Sequence, residues 1–226
     1  MEKSFVDLAK CRNCINYENG ICKEHKKDVN EDENCSLWTE DLIKTEEDKE
    51  RFNRIYYKII QVLKNYCDLK LEYYPIISLW IIGTYTHNSF PTYPYLFFNA
   101  MRGSGKSRIL NLISKLSYNG KLVSNMTEAV LFRTANNRTL CIDEFEEVGN
   151  KEKAALRELL NSAYKKGMSV ERAIKTRGKD KEKYEVESFD VYCPIVMANI
   201  NGVEDVLSDR CITLVLEKST DKRFTR

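Results

Sequence analysis

"NAMRGSGKSRIL" (residues 99–110) stands between the apolar run "YPYLFF" (93–98) and "LNLISKL" (110–116), and its reading decides the fold. An apolar strand, a glycine-rich turn and an amphipathic helix, in that order, are the setting of a phosphate loop, G-x-x-x-x-G-K-[ST]. Ala100 occupies the place of the first glycine. It adds one methyl group, harmless where φ is negative, while Gly103 and Gly105 remain where backbone must approach closely or take positive φ. Backbone N–H groups of Arg102, Gly103, Ser104, Gly105, Lys106 and Ser107 are expected to wrap a β-phosphate, aided by the field of the helix N-terminus. Lys106 would reach the β- and γ-phosphates, and the Ser107 hydroxyl would ligate magnesium. Arg108 completes the expected nucleotide-contacting set, with ATP and Mg2+ as cofactors.

"TLCIDEFE" (139–146) strengthens this reading, because it is an apolar strand closing on adjacent carboxylates. Asp143 at the strand end suits the magnesium shell, and Glu144 can orient and deprotonate an attacking water, with Glu146 a further acid nearby. Asn199 closes "PIVMANI", where a hydrogen bonder could touch the γ-phosphate or the water; Asn201 is its near rival. Arg210, in "LSDRCITLVL", opens the last strand. There it could reach a neighbouring subunit's γ-phosphate, or form a surface ion pair with Asp205 or Asp209.

Around these motifs, strands and helices alternate from residue 95 onward. "YLFFNA", "KLVSN", "TLCIDEF", "CPIVMANI" and "CITLVLEK" are five expected strands. The helices are expected over 106–117, in "MTEAVLFRTA" with Thr127 as its cap, and in "KEKAALRELLNSAYKK". Such alternation means a parallel sheet covered on both faces. Upstream, 45–90 reads as a helical lead-in. Thr45 caps a helix with Ile55, Ile59, Ile60 and Leu63 at helical spacing, and a second helix spans about 74–87.

Between the third helix of the core and the fourth strand lies "MSVERAIKTRGKDKEKYEVESFDVY", two β-prone arms about Gly178 that read as a hairpin. Residues 165–183 hold eight Lys or Arg against three acids, a local net charge of +5 in a chain of net +2. Lys175, Arg177, Lys179 and Lys181 cluster at the tip, suiting phosphate contacts that position a strand without reading sequence. Tyr184 stands alone there, so no aromatic stacking platform accompanies them.

Cys11, Cys14, Cys22 and Cys35 crowd a polar segment, residues 1–38, with spacing C-x2-C-x7-C-x12-C. It is too poor in aliphatics to fold on an apolar core, and four thiolates at this spacing suit tetrahedral zinc. His25 is a rival fourth ligand through "CKEH", and an iron–sulfur cluster is a rival occupant. Cys67, Cys141, Cys193 and Cys211 lie in apolar runs and read as small core residues.

With 226 residues, 42% of them apolar and 31% charged, the chain can build an ordinary core plus a small appendage. A net charge of +2 does not by itself announce a nucleic-acid binder. The start "MEKSFVDLAK" has no signal-peptide core, and "YYPIISLWIIGTY" is too short to span a bilayer. A cytoplasmic location with reduced thiols is expected.

Together "YLFFNAMRGSGKS", "LCIDEFE", "CPIVMANIN" and "LSDRCITLVL" resemble the AAA+ helicase-like ATPases of viruses, phages and mobile elements. Superfamily 3 helicases and primase-associated ATPases are among them. The resemblance covers roughly residues 50–218 and leaves out the cysteine segment. It implies an α/β P-loop NTPase with a five-stranded parallel sheet and flanking helices. To this the helical lead-in and the small Cys-rich zinc-binding module are added, giving modules at 1–38, 45–90 and 91–226. Asn199 would be the sensor-1 residue and Arg210 an arginine finger. A homo-oligomeric ring, often hexameric, would hold ATP between subunits, with the hairpin in its channel on single-stranded or forked DNA. The function implied is that of an ATP-hydrolysing helicase in replication of a virus, plasmid or other mobile element, with a primase or replication protein as partner. The alternative is an ATP-switched DNA-binding loader that does not translocate. Ala100 departs from the family pattern, and too few residues follow the fifth strand for a helical lid. The helices before the phosphate loop would then do its work, or the chain is part of a longer protein.

Overall fold

A computed structural model describes residues 17–18, 21–22, 27–28, 46–124, 127–143, 154–177, 182–200 and 202–224. The chain divides into two units, Met1–Ile55 and Tyr56–Arg226. In the first, β1 (Tyr17–Glu18), β2 (Ile21–Cys22) and β3 (Lys27–Asp28) pair antiparallel in that order. Cys22 lies on β2; Cys11, Cys14, His25 and Cys35 lie outside the described residues. Among the described residues no group of His, Cys, Asp or Glu is placed to hold a metal.

Helix α1 (Glu46–Tyr66) carries the expected apolar series, although Ile55 is exposed. Ile59, Ile60 and Leu63 pack into the core of the second unit. Helix α2 (Tyr73–Gly83) is shorter than the expected 74–87. Its last carbonyls are taken by side chains: Tyr93 Oη donates to Trp80 O at 2.6 Å and Thr84 Oγ1 to Ile81 O at 2.6 Å. Tyr93 packs so close to Gly83 that a Cβ there would lie 2.3 Å from its hydroxyl. A single 3-10 turn, His87–Ser89, follows. Among the described residues no helix is long and apolar enough to cross a membrane.

The remaining elements are β4 (Tyr95–Ala100), α3 (Lys106–Leu116), β5 (Lys121–Ser124), α4 (Glu128–Thr134) and β6 (Leu140–Asp143). They continue as α5 (Ala154–Ala163), β7 (Ser169–Arg177), β8 (Glu182–Asp190), β9 (Ile195–Asn199), α6 (Asp205–Ser208) and β10 (Cys211–Leu216). Five strands form a parallel sheet in the order β10-β4-β9-β6-β5, flanked by helices. The expected cap at Thr127 and the paired arms of the hairpin are present: Thr127 Oγ1 accepts from Val130 N at 3.3 Å, and β7 pairs antiparallel with β8, while Thr45 and Gly178 lie outside the described residues. The four-residue α6 has no counterpart in the sequence reading.

Strand periodicity explains why both faces are apolar. Along β4, Leu96, Phe98 and Ala100 enter one core with Leu63, Ile77, Ile81, Ile109 and Ile113. Tyr95 and Phe97 enter the other with Leu131, Phe132, Leu156 and Leu160. This central strand is therefore gripped from both sides, and the loop that leaves its C-terminal end has a rigid base.

Candidate phosphate-binding site

Ala100 is fully buried, the last residue of β4, in register with Leu216 of β10. Positive φ among the described non-glycine residues occurs at Asn119 and Asn137, so the Ala100 methyl meets the condition set for it. Gly103 and Gly105 do take positive φ, 80° and 88°. A Cβ at Gly105 would meet nothing within 4 Å, so this glycine is required by conformation and leaves open space above the backbone. Ser104 N donates to Met101 O at 3.1 Å to close the turn, and Ile109 N makes the first helical bond to Gly105 O at 3.1 Å. The N–H groups of residues 106–108 precede that bond and form the helix N-terminus. The Ser104 hydroxyl is buried in this loop with no protein partner. Arg108 Nη1 donates to Phe224 O at 3.3 Å.

A cavity of about 460 Å³ opens over the loop. Residues 103–109 form one wall; Tyr66 and Cys67 at the end of α1 and Leu216 of β10 contribute to the rest, together with Asp68, Leu69, Lys218, Ser219 and Phe224. Nothing in the sequence pointed to these last five, because no local motif surrounds them.

Asp143 ends β6, half-buried, opposite Ser124 of β5. Asn199 ends β9, 5% exposed, in register with Asn99 of β4. Its Nδ2 donates to Gly202 O at 2.9 Å, which fixes the turn after β9. Because β9 lies between β4 and β6, Asn199 stands between the phosphate loop and Asp143 at the same end of the sheet. Two strand spacings, ~10 Å of backbone separation, lie between the ends of β4 and β6. Glu144, Glu146 and Asn201 lie outside the described residues.

Arg210 precedes Cys211, which is in register with Tyr95 at the start of β4, so it sits at the opposite end of the sheet. Its guanidinium donates to Asn161 Oδ1 and lies 4.7 Å over the Tyr164 ring, beside a second cavity of about 580 Å³. The side chain pairs with neither Asp205 nor Asp209. The hairpin also stems from this end. Lys175 and Arg177 lie on β7 opposite Tyr184 and Glu182, while Lys179 and Lys181 lie outside the described residues. The hairpin base is tied to α4: Arg172 pairs with Glu128 and stacks 5.3 Å over Phe132, whose ring lies 4.9 Å from Phe189.

The four cysteines of the second unit behave as core residues. Burial pushes the Cys67 thiol up to about 11 and Cys211 up to about 12, and raises Cys141 and Cys193 further. All four are neutral thiols at pH 7.

No family model and no curated protein matches this chain in sequence. Among solved structures, JCV helicase with a bound acetamide compound is 19% identical at a TM-score of 0.38, covering 80% of this chain and 56% of that one. The X-ray structure of JCV helicase is 15% identical, TM-score 0.37, over 64% of this chain and 39% of that one. An inhibitor-bound JCV helicase is 15% identical, TM-score 0.43, over 80% and 55%. This chain therefore spans 39–56% of the length of those helicase chains. At TM-scores below 0.5 such likenesses carry no functional conclusion.

Proposed function

We propose that this chain is a P-loop ATPase of the AAA+ helicase type. In this reading it hydrolyses ATP with magnesium and acts on DNA in the replication of a mobile element. The observation that carries the reading is the convergence, at one end of the sheet, of three features from adjacent strands. These are a phosphate loop with two positive-φ glycines, Asn199 on β9 and Asp143 on β6.

The donor set fits the groups it would hold. Ser107 is exposed in the first turn of α3 and Asp143 is half-buried at a neighbouring strand end, an all-oxygen pair of the kind magnesium takes. Magnesium bound there would supply positive charge to the β- and γ-phosphate oxygens. Within the chain, backbone N–H groups of 102–107 would hold the phosphates, except that of Ser104, which is spent on Met101 O, and Lys106 adds its cation. Glu144, directly after Asp143, is assigned as the base that takes the proton of the attacking water. Asn199 orients that water or the γ-phosphate by hydrogen bonding. Arg210, at the far end of the sheet from its own loop, is suited to another copy's site, which supports a ring with ATP between subunits.

Three parts of the reading stand on chemistry of the sequence alone. Zinc on Cys11, Cys14, Cys22 and Cys35 staples a segment that lacks a core of its own. The basic hairpin tip supplies the DNA contact. A primase is the partner such an ATPase would serve.

ATP turnover measured with and without single-stranded DNA tests the proposal. The unmodified protein is expected to hydrolyse ATP faster with DNA present. Lys106→Ala should lose tight ATP binding, since the β/γ charge loses its motif cation. Glu144→Gln should bind ATP normally yet turn over at least about 100-fold slower, the low end for general-base loss. Equal affinity in Lys106→Ala removes the phosphate-loop assignment. Turnover indifferent to DNA favours the loader.

A further inference from the structure

The glycine-rich loop accounts for one wall of its cavity; on the facing wall Lys218 reaches over the loop, its Cε 3.6 Å from where a Cβ at Gly103 would lie. That wall is built around a held carboxylate. Ser219 Oγ donates to Asp68 Oδ2 at 2.6 Å, across 151 residues of chain, and itself accepts Asp221 N at 3.0 Å. Arg223, in the same segment, is engaged by Asp221 through Nε at 2.9 Å and Nη2 at 2.6 Å. Arg108, on the phosphate-loop helix, holds Phe224 O at 3.3 Å and so ties the segment to the loop. Asp68, an exposed residue, therefore has one oxygen taken by a hydroxyl and, among the described residues, no hydrogen-bond donor on the other. Around it the cavity is lined by Tyr66, Leu69, Leu216 and Phe224.

We propose that Asp68 determines base specificity. Its Oδ1 would accept the 6-amino group of an adenine whose phosphates lie in the 102–107 loop. The proposal rests on the ATP-site reading above. Aromatic and aliphatic walls suit a flat base more than a ribose, and a carboxylate can only accept. Adenine presents an exocyclic amino donor at this edge. Guanine and hypoxanthine place a carbonyl oxygen there, which a carboxylate repels. Guanine's paired N1–H and N2–H donors call for both carboxylate oxygens, and Ser219 already holds one.

Calorimetric titration of the full chain with ATP, ITP, 2′-deoxy-ATP and inorganic tripolyphosphate tests this, in parallel with Asp68→Asn and Ser219→Ala. ITP differs from ATP at the base edge alone. The unmodified protein should bind ATP at least about tenfold tighter than ITP, the low end for one hydrogen bond to a charged acceptor. In Asp68→Asn the two should fall within about twofold, because an amide can both accept from an amino group and donate to a carbonyl. Ser219→Ala keeps the charge but releases its orientation, and should give an intermediate ratio. Unchanged tripolyphosphate binding in both variants shows that the loop is intact. Equal ATP and ITP affinity in the unmodified protein, or an unchanged ratio in Asp68→Asn, overturns the assignment. Discrimination against 2′-deoxy-ATP that vanishes in Asp68→Asn overturns it too, by placing the carboxylate on the ribose. If even tripolyphosphate fails to bind the unmodified protein, the phosphate-loop reading falls, and this inference with it.

Discussion

At Ala100 the proposed phosphate loop lacks the usual first glycine, and the structure shows where the extra methyl goes. The residue completes β4, extended and fully buried, with its side chain in the core beside Ile109 and Leu216 rather than over the phosphate cradle. Ala100→Gly should therefore leave nucleotide affinity unchanged. It should lower stability by about 1 kcal/mol, since glycine in a strand gains chain entropy on unfolding and loses the buried methyl. Denaturant unfolding and calorimetry on the same preparation check both halves; a marked gain in affinity would mean that the alanine impairs the loop. The glycine needs at 103 and 105 were legible in the sequence, because a phosphate loop is defined by spacing over a few residues. Asp68 was not legible, because its meaning depends on Ser219 and on a cavity that only folding assembles.

The hairpin shows the same division at the scale of an element. Its arms were readable from β-prone residues on either side of Gly178, and pairing confines the register from Ser169↔Asp190 to Arg177↔Glu182. The anchoring of its base on α4 through Arg172, Glu128, Phe132 and Phe189 was not, since α4 lies some forty residues upstream. Replacing Lys175, Arg177, Lys179 and Lys181 together by Ala should weaken single-stranded DNA binding and flatten its salt dependence. Each lost phosphate contact takes about 0.7 from the log–log slope, so losing two to four contacts is readily measured. Basal ATPase should persist and its stimulation by DNA should disappear. Unchanged affinity and slope would make the tip a solvated turn. The cysteine segment yields a separate test: metal analysis should find about one zinc per chain, held by four ligands. Cys35→Ser should release it; if Cys35→Ser keeps the metal while His25→Ala releases it, His25 is the fourth ligand. Iron in place of zinc would indicate a cluster.

For the whole molecule, the sheet separates two working ends. The phosphate loop, Asp143 and Asn199 occupy the C-terminal ends of the strands; Arg210 and the root of the hairpin occupy the other. Arg210 is held on Asn161 and over Tyr164 at the opposite end of the sheet from the chain's own loop, so under the proposed ring it would serve a neighbouring copy. Arg210→Ala should reduce turnover and spare nucleotide binding by the isolated subunit. Mixing it with Glu144→Gln subunits should restore part of the activity. An Arg210→Ala subunit keeps its own base and can receive the arginine from its neighbour. No recovery in assemblies shown to mix would assign Arg210 to packing on Asn161 and Tyr164 alone.

The sequence by itself determined what short-range pattern can carry: alternation of strands and helices, the glycine spacing of the loop, the carboxylate closing β6, the hairpin and the core thiols. These depend on neighbours within one element, where backbone geometry repeats every two or 3.6 residues. Tertiary structure alone decided the order β10-β4-β9-β6-β5, which sets Asn199 between the loop and Asp143. It also decided that Asp68 and Ser219 meet over the cavity, and that Arg210 faces away from it. Any strand of this composition could pair with any other; burial of both sheet faces and the chain's crossovers select one arrangement, and that selection is a property of the packed whole.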